Sequence, residues 1–433
     1  MHQIRTIKGL FALSYLAIYY IVESLLIVRW TIPMFLQASV LNISILLGLY
    51  AFRAFDNTTL KSLNSSLVSY LSGSLFGSAF SLIIIAFFQY KLPKEVFFLN
   101  LFISIFIFST LSVFIFRRII KALPPKRFLV IGREDDIGDI LNEVQEKSMG
   151  KLQIIGYINP SPATLTTAIE TEKLFDGILI GDPSLAKEVE TTIDKARTKG
   201  IEIQFLPNIV EDQLKRIPLE MIDKFKEYYE VVFSEMRPSQ RKKVLDVLLT
   251  TFFLIISSPL FLIFSILLPI QQGFPILFKQ KRIGQGLEPF TFIKFRSLMD
   301  IEKEKLKNHK NPNETIEKRV TKAGRFLRKT RLDELPQFFN VLNGSMSLIG
   351  PRPEMINYHE QGIKNIPYYS FRYKTKPGIT GWAQIKYQHT STLEDYKKKT
   401  EYDLYYIKNQ CLTLDLQIIL QTIETMLGMR GSK

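Results

Sequence analysis

The chain has 433 residues, enough for two or three domains, with a net charge of +15, 46% hydrophobic residues and 33 phenylalanines. So apolar and basic a chain points to a membrane and to an acidic partner, whether nucleic acid, anionic lipid or a phosphorylated substrate. The single cysteine, Cys411, excludes an internal disulfide and suits a reducing compartment. The four histidines (His2, His309, His359, His389) lack metal-ligand spacing, which argues against a zinc or histidine-based mechanism.

Four apolar runs, 9–28, 33–52, 67–89 and 95–116, fill residues 1–118. Each is close to the ~20 residues that cross ~30 Å of hydrocarbon. No small-residue cleavage site follows the first, so it reads as a span rather than a removed signal peptide. Arg5, Lys8, Arg53, Lys61, Arg117, Arg118, Lys121, Lys126 and Arg127 would lie on one side, against Arg29, Lys91 and Lys94 on the other. That asymmetry puts both ends of a four-span bundle in the cytoplasm. Glu23, inside the first span, either meets a partner in the bundle or near the headgroups, or lines a path for lipid or substrate.

From about residue 119 to 235 the character changes. Short β-rich runs at 128–132, 152–158, 177–181 and 201–207 alternate with polar helix-like segments. This predicts a parallel, doubly wound α/β domain. Its first turn, Gly132 to Gly138, lacks the G-x-G-x-x-G spacing and is acidic where a pyrophosphate would lie. A scaffold or regulatory role fits better than nucleotide binding.

A basic stretch, 237–243, leads into the apolar segment 244–269. Ser257-Ser258-Pro259 sits in its middle, where proline breaks the hydrogen-bond ladder and serine hydroxyls can take up the freed carbonyls. Both flanks are basic: Arg241, Lys242 and Lys243 before, Lys279, Lys281 and Arg282 after. A re-entrant hairpin returns both flanks to one face, whereas an ordinary fifth span would violate the charge rule. Between 273 and 299, β-like runs flank a glycine-rich turn. Lys279, Arg282, Lys294 and Arg296 there suit a phosphate, although alone they read equally as a solvated basic face. The charged, apolar-poor segment 300–318 reads as a mobile loop, a lid or a headgroup contact.

The stretch Arg328–Pro353, RKTRLDELPQFFNVLNGSMSLIGPRP, carries the strongest chemistry. Pro336 predicts a helix starting near Asp333, where free amides and the positive dipole end would keep Asp333 ionised and attract phosphate. Neighbouring residues do not face the same way on a helix, so Asp333 and Glu334 fit separate roles, such as nucleophile and metal ligand. Arg352 stands between Pro351 and Pro353, which hold it extended and aim its planar fork. Further on, 365–385 interleaves aromatics with Lys and Arg, a pattern that beside apolar segments favours a lipid interface over nucleic acid. The tail 394–429 reads as helices whose apolar stripe packs in a core.

With these motifs placed, residues 236–433 resemble the bacterial sugar transferases, also called polyprenyl-phosphate hexose-1-phosphate transferases or monotopic phosphoglycosyl transferases. The matching elements are KKVLDVLLTTFFLIISSPLFL, FKQKRIGQGLEPFTFIKFRSLM, GRFLRKTRLDELPQFFNVLNGSMSLIGPRPE, KPGITGWAQI, and YDLYYIKNQ with LDLQIILQT. The four-span bundle and α/β domain look like the larger initiating members. One departure is Glu317-Lys318 before Arg319, where such proteins often carry Asp. The resemblance implies three parts: a four-span α-helical bundle (1–118), a cytoplasmic Rossmann-like α/β domain (119–235), and a mainly α monotopic catalytic domain (236–433) with a re-entrant helix at 244–269. It also implies transfer of sugar-1-phosphate from a UDP-sugar to a polyprenyl phosphate such as undecaprenyl phosphate, with release of UMP. This would be the first membrane step of surface polysaccharide synthesis, at the cytoplasmic face of the bacterial inner membrane. Carried over, Asp333 looks like the nucleophile, Asp333 and Glu334 like the carboxylates of a Mg²⁺ site, and Arg328 and Arg352 like phosphate contacts. Arg282, Lys294 and Arg296 are further phosphate-binding candidates, Ser258 and Pro259 look like the re-entrant breakpoint, and a homodimer is expected. Two rivals remain: a glycosyltransferase that leaves UDP, and a non-enzymatic scaffold of a polysaccharide assembly.

Overall fold

The computed structural model describes residues 2–27, 29–60, 63–86, 92–158, 162–171, 175–236, 240–297, 322–387 and 392–426. The charged segment 300–318, Arg319 and residues 237–239 of the basic stretch lie outside them. The chain forms two compact units, Met1–Pro124 with Ile423–Lys433, and Pro125–Thr422.

The first unit is helical: α1 (His2–Leu26), α2 (Ile32–Ala51), the short α3 (Asn57–Leu60), α4 (Leu63–Ala86) and α5 (Lys94–Phe102). The last runs through a π-helical stretch, Ile103–Phe108, into α6 (Ser109–Ala122). Among the described residues, 32–51, 66–86 and 94–122 are long and apolar enough to cross a membrane, and Phe11–Leu26 is a shorter apolar helix. These helices are apolar outside and polar within. Leu13, Ile21 and Leu25 of α1 are exposed, whereas Tyr15, Tyr19 and Glu23, spaced four residues apart on one face, are buried. The Glu23 carboxylate accepts from Asn42 Nδ2 at 3.2 Å and Asn100 Nδ2 at 2.7 Å, and Asn100 Nδ2 also donates to Asn42 Oδ1 at 2.8 Å. Glu23 thus meets its partners inside the bundle, tying α1, α2 and α5 together. α2 and α4 approach closely because glycine lines the seam: a Cβ on Gly48 would lie 2.0 Å from the Gly73 carbonyl oxygen.

The second unit opens with β1 (Lys126–Ile131), α7 (Glu134–Lys147), β2 (Leu152–Ile158), α8 (Pro162–Thr171), β3 (Gly177–Ile180), α9 (Pro183–Glu188), α10 (Glu190–Thr198) and β4 (Glu202–Phe205). The four strands pair in parallel in the order β2-β1-β3-β4. The run 201–207 is strand only to Phe205. Leu206 and Pro207 begin α11 (Leu206–Leu214), since proline fits the first helical turn. α12 (Leu219–Lys224) and α13 (Lys226–Ser234) follow.

α14 (Gln240–Gln272) is one helix of 33 residues, 240–271 of it long and apolar enough to cross a membrane. Pro259 has no N–H for the Ile255 carbonyl. The Ser258 hydroxyl donates to that same oxygen at 2.8 Å, so the freed carbonyl keeps a partner although the backbone bond is missing. Leu248, Ile255, Leu262 and Ile270 stand exposed along it. Beyond lie the hairpin β5 (Leu277–Ile283) and β6 (Pro289–Phe295), with Gly286 at φ 67° in its turn. Then come α15 (Lys322–Thr330), α16 (Gln337–Leu342), β7 (Ser347–Ile349), α17 (Ile356–Asn365), β8 (Gly378–Thr380), α18 (Trp382–Lys386), α19 (Leu393–Lys408) and α20 (Leu412–Met426). Phe253 of α14 stacks on Phe338 of α16 and Phe261 meets Phe339 edge-on, 6.2 and 5.8 Å between ring centres. The apolar helix therefore packs directly beneath the segment that follows the paired carboxylates.

Candidate active site

Asp333 and Glu334 lie on a single 3-10 turn, Leu332–Glu334, entered through Arg331 in left-handed backbone (φ 56°, ψ 17°). The sequence predicts a helix starting near Asp333; the regular helix α16 starts only at Gln337. The N–H groups of Glu334, Leu335, Phe338 and Phe339 all reach back three residues, and Pro336, lacking an N–H, interrupts the series. A helix dipole therefore does not govern Asp333. Burial pushes its carboxyl above the usual range, reinforced by the charge of Glu334 and opposed by Lys294, its own backbone N–H and Arg328. Glu334 moves the other way. Burial would raise it, but Arg352, Arg331 and Lys294 hold it below the usual range. The two adjacent carboxylates are thus electrostatically unlike.

Arg352 donates from Nη2 to Glu334 Oε1 at 2.7 Å. Its segment is fixed on both sides. Gly350 N donates to Thr380 O and Gly378 N to Pro351 O, both at 2.9 Å, joining β7 to β8. A Cβ on Gly378 would sit 2.0 Å from Gly350 N, so only glycine permits this approach. Arg372 Nη2 donates to the Arg352 carbonyl at 3.2 Å, and Arg282 Nη1 donates to that of Pro353.

Arg282 lies over the Phe292 ring at 4.4 Å, and burial, with Arg352 next, pulls its guanidinium down to about 10. Lys294, on β6, is lowered by burial and pulled back up by Asp333. Arg328, on the exposed face of α15, acts on Asp333. Arg282, Lys294, Arg328 and Arg352 thus join the two carboxylates in one charged cluster. Arg296 plays a different part: buried, it donates from Nη2 to Gly273 O at 2.8 Å, anchoring the chain that leaves α14. Ser258 and Pro259 sit in mid-α14, between Phe253 and Phe261.

Sequence reasoning missed Arg331 and a buried network behind Arg352. Arg372 Nε donates to Asp403 Oδ2 at 2.8 Å and Nη1 to the Tyr369 hydroxyl at 2.6 Å, while Glu354 pairs with Lys399 and lies 3.6 Å from Arg372. Burial would raise Glu354, but Lys399 and Arg372 keep it below the usual range. The available signal was charge embedded among aromatics, in FRYK and YDLYY. Among the described residues no three Asp, Glu, His or Cys side chains gather as a metal cage. Two adjacent carboxylates do fit Mg²⁺, which is commonly held by one or two carboxylates together with substrate phosphates.

The profile of the family described as bacterial sugar transferase matches residues 237–429. The chain is 34% identical over 256 residues to the UDP-N-acetylgalactosamine-undecaprenyl-phosphate N-acetylgalactosaminephosphotransferase of Aeromonas hydrophila, covering 58% of each chain. It is 41% identical to the UDP-glucose:undecaprenyl-phosphate glucose-1-phosphate transferase of Escherichia coli K12 over 42% of this chain and 39% of that one. With the sugar transferase EpsL of Bacillus subtilis, itself uncharacterized, identity is 38% over 44% of this chain and 89% of that one. The chain belongs to the bacterial sugar transferase family. It spans 58% and 39% of the first two relatives. The Aeromonas match is too long to be confined to residues 237–429, so it extends into residues before 237. In this family member the charged cluster, α14 and the buried network all fall inside the matched segment.

Proposed function

We propose that this protein transfers sugar-1-phosphate from a UDP-sugar to a polyprenyl phosphate such as undecaprenyl phosphate, releasing UMP. The observation that carries the reading is the charge imbalance around the 3-10 turn: Arg282, Lys294, Arg328, Arg331 and Arg352 act on two carboxylates. A diphosphate supplies the missing negative charge. The Asp333 carboxylate attacks the β-phosphorus, the bond to the α-phosphate oxygen breaks, and UMP leaves with that electron pair. An oxygen of the lipid phosphate then attacks the same phosphorus and frees Asp333, splitting one hard displacement into two. A raised pKa makes Asp333 a more basic nucleophile once it is deprotonated. Arg352 holds Glu334 and offers its remaining N–H groups to phosphate, and Arg282 and Lys294 stabilise the equatorial oxygens. Asp333 and Glu334 would hold Mg²⁺, which when bound neutralises diphosphate charge.

In this reading α14 dips into the bilayer and bends at Ser258-Pro259, so that both of its ends lie on the same face. Support comes from both of its ends being bonded to one folded body. Near the start, Lys242 Nζ pairs with Asp415 Oδ2 at 2.9 Å and Leu348 N donates to Asp246 Oδ1 at 3.2 Å. Near the end, Ala323 N donates to Gln271 Oε1 at 3.2 Å. The catalytic segment then lies at headgroup depth on the cytoplasmic face of the bacterial inner membrane, as the positive charges flanking the N-terminal helices also favour. The Rossmann-like α/β segment serves as scaffold or regulator, and the chain works as a homodimer in surface polysaccharide synthesis. The test is nucleotide release from a panel of UDP-sugars with undecaprenyl phosphate and Mg²⁺. UMP release dependent on lipid and Asp333 supports the reading, UDP release moves it to a plain glycosyltransferase, and no release from folded protein moves it to a scaffold.

A further inference from the structure

A chain of ionic contacts leads from the α/β segment to the carboxylate turn. Arg216, in the link between α11 and α12, is buried and donates from Nη2 to Glu143 of α7 and from Nη1 to Glu401 of α19. The backbone reinforces the joint. Ile217 N donates to the Glu401 carbonyl at 3.1 Å, Leu219 N to Glu401 Oε1 at 3.4 Å, and Trp382 Nε1 to the Lys215 carbonyl at 2.9 Å.

α19 carries the contact onward. At 100° per residue, Glu401 and Asp403 point to opposite sides of the helix, while Lys399 and Asp403 share a side. The Glu401 side is bound to Arg216. The other side is bound to the site: Asp403 to Arg372, and Lys399 to Glu354. Arg372 then holds the Arg352 carbonyl, and Arg352 holds Glu334, next to Asp333. Apolar packing could make the same joint as stable, because burying two charges offsets most of their attraction. What apolar packing would not supply is a fixed rotation of α19. A guanidinium bridging two carboxylates fixes it, since its planar fork admits few orientations.

We propose that Arg216 is a positioning residue for the candidate active site: clamped between Glu143 and Glu401, it sets the seat of α19 and thereby the placement of Arg352. The α/β segment is then a buttress for catalysis rather than a nucleotide-binding module. The inference rests on the proposed function for the role of Arg352, but not for the mechanical link.

The experiment uses the full chain in nanodiscs, as wild type, Arg216→Met, Arg216→Lys and Glu401→Gln, with two readouts. Hydrogen exchange follows the amides of Gly350 and Gly378, which flank Arg352. UMP release gives kcat and KM. Arg216→Met should raise exchange at both glycines and lower kcat by about ten- to a hundredfold at little change in KM, the size expected of a small misplacement. Glu401→Gln should show the same pattern more weakly, and Arg216→Lys should restore part of kcat. Exchange raised only around α7 and residues 215–219, with kcat within twofold of wild type, overturns the proposal. So does unfolding of both Arg216→Met and Glu401→Gln, which would assign the joint to stability alone. If wild type releases no UMP, the functional reading fails, while the exchange arm still decides the link.

Discussion

Glu23 and Asp333 are both buried carboxylates, and their surroundings differ in kind. Glu23 meets two neutral amides, Asn42 and Asn100, whose hydrogen bonds satisfy it within the helices of the first unit. Asp333 meets a second carboxylate and an excess of cations. A cluster closed by its own hydrogen bonds holds helices together; a cluster in which, among the described residues, cations outnumber carboxylates suits an anionic ligand. The network of Glu354, Arg372, Lys399 and Asp403 is a third case, with two cations against two carboxylates, closed and placed behind the site.

The largest effect that could break this contrast is at Asp333. Asp333→Asn keeps the shape and removes the proposed nucleophile, so UMP release should fall by about a thousandfold or more in folded protein; a loss under tenfold would put the reaction elsewhere. Arg352→Ala should cost about a hundredfold, as it removes the proposed phosphate contact and leaves Glu334 without its main counter-charge. A rise in KM with unchanged kcat would instead make Arg352 a contact used equally in ground and transition states.

The legible parts of the molecule are those where local pattern decides structure. Periodicity and run length gave the N-terminal helices and the alternating strands, and the β5–β6 hairpin follows from apolar runs around Gly286. The adjacency of Asp333 and Glu334 and the proline flanks of Arg352 are likewise local features of the sequence, whereas the contact of Arg352 with Glu334 is not. The 3-10 turn was not readable, since it depends on the left-handed backbone of Arg331, which nothing in its side chain demands. Arg372 and Asp403 were not readable either. Thirty residues separate them, and a buried ion pair leaves no period in a sequence.

Smaller effects sharpen the contrast. Burial raises the carboxyl of Asp333, and in the proposed reaction it must be ionised to attack. The acid limb of kcat should therefore fall as pH drops through a value above that of an ordinary aspartate, and a limb at the ordinary value would contradict the burial argument. Glu23→Gln should leave UMP release unchanged and shift stability by under about 1 kcal/mol, because neutral hydrogen bonds suffice there. Glu23→Leu, which strands two buried amides, should cost about 1–3 kcal/mol in detergent melts. Smallest of all, Ser258→Ala should cost about 1 kcal/mol through loss of the hydroxyl that replaces the missing Pro259 N–H.

The most direct measurement identifies the nucleotide set free by nanodisc-held protein from UDP-sugars, undecaprenyl phosphate and Mg²⁺, beside Asp333→Asn. The account predicts UMP, released only with lipid present and absent from the variant. UDP as the product, or UMP release that survives loss of the Asp333 carboxylate, would contradict it.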